Sequence, residues 1–238
     1  MDKPSPKLPN RDPFHFQSPE PRIRAQFAET PWTDRYFNDP NLHACISESR
    51  ISKLGGRDGN TADTLCAVTL AKQDTILAWQ YFYKPASSSP PLPPSPPRSA
   101  PLSPPLLSST QPSPSSQLPS PASDEILALL KLGRGLNGHI DTAHGGLLCV
   151  ILDEMIGNAA EYQRSAGTST MTAYLNVTYR KPVSTPGTVL VRAWVERVEG
   201  RKIFGRGVVE DGEGVVCASG EALFLSVPRI QGRPGAKM

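Results

Sequence analysis

The chain carries one stretch whose residue types and spacing could do chemistry. His144-Gly145-Gly146 opens an almost wholly apolar run, LLCVILDEMIG, that holds two adjacent acids, Asp153 and Glu154. A small-residue turn feeding a buried helix leaves free backbone N–H groups at one end. A carboxylate inside an apolar stretch is costly to bury without a reason. Together they supply the two parts of an acyl-transfer site: a polariser for a carbonyl, and a base or nucleophile. The residues alone leave the base open between Asp153 and Glu154. They also leave Gly145 readable as a packing glycine, and His144 as an ordinary helix cap.

These groups need a scaffold, and the punctuation around them supplies one. The glycine-rich loop GRGLNGHIDTAHGG leads into a helix from about 145 to 163. Four strands follow: MTAYLNVTY (171–179), TVLVRAWVERV (188–198), KIFGRGVVE (202–210) and VVCASGEALFLSV (215–227). In the first, Ala173, Leu175, Val177 and Tyr179 share the apolar side. That parity puts Thr172 on the opposite face, although the start of a strand can break it. Upstream, DTILAWQYFY (74–83) alternates and predicts a fifth strand, while DEILALLKLG (124–133) has helical spacing and a glycine stop. Thr30-Pro31 starts one or two short helices before Ile51, GGRDGN (55–60) is a turn, and TADTLCAVTLAKQ is ambiguous. A helix apolar on nearly all sides must be enclosed. The expected architecture is α+β: one long central helix wrapped by a five-stranded, mainly antiparallel sheet.

The 238 residues include 26 prolines, concentrated in a nearly uncharged Pro/Ser tract. The tract is expected to be a disordered insert over 85–122. Residues 1–25 predict a disordered N-terminal arm, and 229–238 a C-terminal tail. One domain over 26–228, interrupted by the insert, is the economical organisation. The formal charge of +3 comes from scattered basic residues, which gives no reason to expect nucleic acid as a partner. Four cysteines without close pairing suggest neither a disulfide framework nor a metal site, so no metal or other cofactor is expected. No stretch is long and apolar enough for a membrane span. The expected location is cytoplasmic, with Arg22 and Arg24 faintly permitting a mitochondrial leader.

In order along the chain stand Gly138, His144-Gly145-Gly146, Asp153 nine residues after the histidine, TAYLNVTYRKPV and VERVEGRKIFGRGVV. This series resembles the hotdog-fold acyl-CoA thioesterases, in the branch related to phenylacetyl-CoA thioesterase and the small animal thioesterase-superfamily proteins. DTILAWQYFYKP and LGRGLNGH are similar to fungal-type members. The resemblance covers about 60–84 and 123–228. It implies thioester hydrolysis of an acyl-CoA, with Asp153 as base or nucleophile and the Gly145 N–H on the thioester oxygen. In it the His144-Gly145 peptide positions the carbonyl, and Thr172 matches a position that orients water or the carboxylate. Gly146 is a further substrate contact. Arg180, Lys181 and Lys202, at strand ends with Arg201, are candidates for the coenzyme A phosphates, each also readable as a solvated turn charge. The chain departs from the family twice. The Pro/Ser tract is extra, and Gly138 stands where some branches place an asparagine, so Asn137 receives no role.

His144 and Asp153 are about 13 Å apart along a helix axis and point to roughly opposite sides. A carbonyl held at Gly145 is therefore out of reach of the same chain's Asp153. The resemblance implies a site shared between two subunits of a homodimer, or of a tetramer built as a dimer of dimers. Two other readings stand beside the hydrolase: a non-catalytic acyl-CoA-binding or scaffolding hotdog protein, and a hotdog hydratase or dehydratase. The last is disfavoured because His144 precedes the helix rather than forming an Asp/His pair on it.

Overall fold

The computed structural model describes residues 14–54, 60–86 and 124–228. The body of the Pro/Ser tract, residues 1–13, most of the 55–60 turn and the tail from 229 lie outside the described residues. Elements in chain order are β1 (Phe14–Phe16), α1 (Pro21–Ala25), α2 (Asp34–Asn38), β2 (His43–Ser47), β3 (Ile76–Lys84), β4 (Glu125–Leu132) and the short pair β5 (Asn137–His139) and β6 (Thr142–Ala143). Then come α3 (Gly145–Gln163), β7 (Thr168–Tyr179), β8 (Gly187–Glu199), β9 (Lys202–Glu210) and β10 (Val216–Pro228). The second half of the segment expected to be a loose arm thus holds β1 and α1.

One antiparallel sheet has the order β1-β2-β3-β4-β8-β9-β10-β7. It curls round α3, whose Ile151, Leu152, Met155 and Ile156 are fully buried. This is the α+β hotdog arrangement. The expected count of five strands is corrected to eight among the described residues. β1 and β2 are added from the N-terminal block, and the segment 124–133 is a central strand, not a helix. The reason is burial on both faces. Ile126, Ala128, Leu130 and Leu132 face the α3 core. Leu127 and Leu129 face a second cluster with Phe27, Ala78, Phe82 and Leu190 on the back of the sheet. A strand covered on both sides loses the alternation that marks a half-exposed one.

Contact between α3 and the sheet depends on glycine. A Cβ on Gly205 would stand 2.5 Å from Ile156 Cγ2, and one on Gly207 would stand 3.0 Å from Ile156 Cγ1 and 3.2 Å from Leu152 Cδ2. On Gly220 it would lie 3.4 Å from both side chains. The missing side chains form a trough that seats the helix. The register of β7 against β10 slips between Leu223 and Phe224: Tyr174 pairs with Leu223, and Thr172 with Phe224. Ala173 is the extra residue of a β-bulge.

Two measurements follow. Gly205→Ala forces Ile156 out of its seat, and overpacking of this kind costs about 1–3 kcal/mol; a lower midpoint in urea at unchanged slope is the expected result. Lys84 pairs with Glu125, and Ala86 N donates to Asp124 Oδ1 at 2.8 Å, so both ends of the tract are already held together. Removing 86–122 and joining Pro85 to Ser123 leaves a short hairpin connection. Shortening a loop recovers about 0.6 kcal/mol per halving. Thermal denaturation should show an equal or higher Tm, and loss of folding would show that the tract is structural.

Candidate active site

α3 begins at Gly145 because His144 caps it. The His144 Nδ1 accepts from Gly146 N at 2.9 Å, and its carbonyl accepts from Leu147 N at 2.9 Å. Gly145 N–H finds no acceptor among the described residues, which makes it the free donor at the positive end of the helix. His144 is therefore occupied as a cap, and the Gly146 N–H is used within the chain. Tyr179, which sequence reasoning passed over as a catalytic-site residue, donates its hydroxyl to the Gly145 carbonyl at 3.0 Å and lies 2.9 Å from the Cys149 sulfur. Its only signal was its place in the apolar series that ends the strand.

Asp153 lies two turns further on, half-buried, with Oδ1 accepting from Thr172 Oγ1 at 3.0 Å. The bulge at Ala173 makes this contact possible. It turns Thr172 to the same side as Leu175 and Val177, so the straight-strand parity is corrected here, and Ala173 itself is exposed. Burial pushes the Asp153 pKa above the usual aspartate value, and the Thr172 bond draws it part of the way back. Glu154 points elsewhere. Its carboxylate accepts from Ser49 Oγ, from Asn158 Nδ2 at 2.9 Å and from the Cys66 thiol at 3.6 Å. Asn158 in turn accepts from Ser47 at 2.8 Å. The second acid thus ties the N-terminal block to the helix. Burial, with Glu154 beside it, raises the Cys66 thiol to about 12, so it stays protonated and inert.

Tyr179 reaches Gly145 and Thr172 reaches Asp153 from the same strand, so both helix positions face β7. Eight residues of helix still separate Gly145 from Asp153 by about 12 Å. A cleft of about 660 Å³ opens beside Asp153, against Gly157, Ser169, Thr170 and Phe224. The candidate phosphate contacts are not brought together. Arg180 and Lys181 follow Tyr179 at one end of β7, and Lys181 is paired with Asp211 at 2.7 Å. Lys202 starts β9 in the row of Glu199 and Leu225, at the other end of the sheet. Among the described residues no cluster of His, Cys, Asp or Glu could hold a metal ion, and no helix is long and apolar enough to cross a membrane.

Residues 141–218, which include the cap, the helix and β7 to β9, match the family described as the thioesterase superfamily. The acyl-coenzyme A thioesterase THEM4 of Mus musculus is 31% identical over 102 residues, covering 42% of this chain and 43% of that protein. Its Rattus norvegicus counterpart is 32% identical over 107 residues, covering 44% of this chain and 45% of its own length. The chain spans less than half the length of these relatives. A solved structure of the BH2602 protein from Bacillus halodurans with CoA is 26% identical, covers 42% of this chain and 66% of that one, and has a TM-score of 0.39. HGG, the spaced Asp153 and the enclosed helix all lie within the part of the chain, residues 141–218, that matches the thioesterase superfamily.

Proposed function

We propose that the protein is an acyl-CoA thioesterase that hydrolyses the thioester to a free acid and coenzyme A. The observation that carries this reading is a half-buried carboxylate, Asp153, held by Thr172 on the same flank of α3 as the free Gly145 N–H. Water attacks the thioester carbonyl as Asp153 removes its proton, and the oxygen that gains charge rests on Gly145 N–H at the helix N-terminus. Coenzyme A leaves as a thiolate. The match of residues 141–218 to the thioesterase superfamily supports the reaction class. A hydratase would need a histidine beside the acid, and His144 is committed to its cap.

The working unit in this proposal is a homodimer. The 12 Å between Asp153 and Gly145 of one chain is too far for one carbonyl to meet both. Two copies with antiparallel α3 helices would place Asp153 of one against Gly145 of the other. β7 is a sheet edge with Met171, Tyr174 and Tyr179 exposed, and an open edge of this kind favours pairing with a second copy. Arg180 follows Tyr179, which bonds the Gly145 carbonyl, so each chain's Arg180 would lie at the Gly145 end of the site, toward coenzyme A.

Asp153→Asn should lower kcat by about 10²–10⁴-fold. Because the folded-state pKa of Asp153 is raised, its ionised form costs stability at neutral pH. Asparagine escapes that cost, so the variant's Tm should equal or exceed that of the parent chain. Glu154→Gln should keep most turnover and lose stability; the opposite pattern in the two variants would move the base to Glu154.

The raised pKa also predicts that kcat/KM falls on the acid side at a pH above the ordinary aspartate range. Thr172→Val removes the one bond that lowers it, so the midpoint of that limb should move further up. A limb that stays in place would remove Thr172 from the site.

Gly145→Pro tests the donor itself. Proline is tolerated at the first helical position, and His144 already has the extended backbone (ψ 132) that precedes a proline. The variant should fold and lose about 10²–10³-fold in kcat with the N–H. Refolding it together with Asp153→Asn should recover activity, since hybrid dimers regain one complete site. An active monomer by light scattering would refute the shared site.

A further inference from the structure

The cleft beside Asp153 carries more information than its position. It follows α3 from Asp153 past Gly157 to Glu161 and Arg164, toward the helix C-terminus and away from Gly145. Phe224 is the one large apolar side chain on its walls among the described residues. Small-molecule pockets are lined mostly by apolar groups, so this lining departs from the common case.

Charge decides which half of a thioester enters. Glu48, Asp63, Glu154 and Glu161 join Asp153 on the walls, against Lys53 and Arg164. Both cations are already taken. Lys53 pairs with Asp63 and Glu48, and Arg164 with Glu161. Among the described residues, the diphosphate and 3′-phosphate of coenzyme A would meet a surplus of carboxylates and no cation without a carboxylate partner. The acyl group therefore occupies the cleft, and coenzyme A lies in the direction of the Gly145 end.

Polarity then decides the kind of acyl group. A long alkyl chain laid here would strip water from carboxylates and hydroxyls and return no hydrogen bonds. A donor on the acyl group would restore them. The far wall is built and not open. Ser49 donates to Glu154 and Ser47 to Asn158 across 111 residues of sequence, so the 47–53 segment closes one side. Gly157 keeps the passage clear: a Cβ there would stand 3.2 Å from the Phe224 ring.

We infer that this cleft selects a short acyl group bearing a hydroxyl or protonated amine, with Glu161 as the specificity-determining carboxylate for the amine. The inference rests on the thioesterase reading and narrows its substrate class. Glu161 holds Arg164 through one oxygen and accepts from Thr170 N at 3.1 Å and Thr170 Oγ1 at 2.9 Å through the other. It is thus fixed in place on the wall, eight residues beyond Asp153.

The test compares matched CoA thioesters on the full chain: butanoyl with 3-hydroxybutanoyl, hexanoyl with 6-aminohexanoyl, and hexadecanoyl alone. The functionalised member of each pair should show about tenfold higher kcat/KM, the worth of one added hydrogen bond, and hexadecanoyl should be poorest. Glu161→Gln, with Tm measured as the fold control, should reduce the amine preference several-fold and leave the hydroxyl preference in place. Equal rates within the pairs, or a best rate with hexadecanoyl-CoA, would overturn the inference while the thioesterase reading stands. If none of the five is hydrolysed, the hydrolase reading fails instead. Calorimetric binding of the matching non-hydrolysable thioethers then decides the cleft: tighter binding of the functionalised analogues supports it, and equal or weaker binding overturns it.

Discussion

Everything at this site depends on how closely α3 lies against the sheet. Ile156 and Leu152 occupy space that side chains at Gly205, Gly207 and Gly220 would otherwise fill. That seating fixes the rotation of the helix. With Ile151, Leu152, Met155 and Ile156 turned inward and fully buried, Asp153 must come out on the flank beside β7, and Gly157 must follow it one turn later. The carboxylate is half-buried because its neighbours in sequence are wholly so. Its elevated pKa is thus a consequence of helix packing, moderated by one hydroxyl.

The two adjacent acids show how environment divides labour between similar groups. Asp153 and Glu154 differ by 100° around the helix. One turns to an edge strand that offers a single hydroxyl. The other turns to the N-terminal block, where a serine, an asparagine and a thiol converge on it. Glu154 is held by three side chains. Asp153 keeps Oδ2 free of any partner among the described residues. This asymmetry distinguishes the two acids by their surroundings alone.

The helix was legible in the chain because its cap, its apolar run and its end are all local signals: His144, LLCVILDEMIG and AGTST. The strands β7 to β10 were legible because turns punctuate them. β4 was not, since Glu125–Leu132 is buried on both faces and its leucines suit a helix as well as a strand. What covers its back face is Phe27 with Ala78, Phe82 and Leu190, a contact between distant segments that no local pattern encodes. Spacing alone leaves Asp153 level with Glu154 and Gly145 readable as a packing glycine, and the resemblance to a family singles the two out. Tyr179 and the contact of Thr172 were not legible, because the first depends on where β7 ends beside α3. The second depends on a bulge that cancels parity for one residue.

Asp153 meets the sheet at an edge strand, where a bulge disturbs one ladder. An interior strand is held by ladders on both sides, so an extra residue would disturb two registers. Among the described residues β7 pairs only with β10, and it can absorb Ala173 at the cost of one local slip. The same open side that tolerates the bulge leaves Met171, Tyr174 and Tyr179 exposed. An edge that is irregular at Thr172 and regular from Tyr174 to Tyr179 presents unpaired backbone over its second part. Pairing with a second copy along that regular part would bring the partner's helix alongside without disturbing the hydroxyl that holds Asp153. The bond that holds Asp153 and the pairing of an open edge are therefore compatible demands on one strand, met by different residues of it.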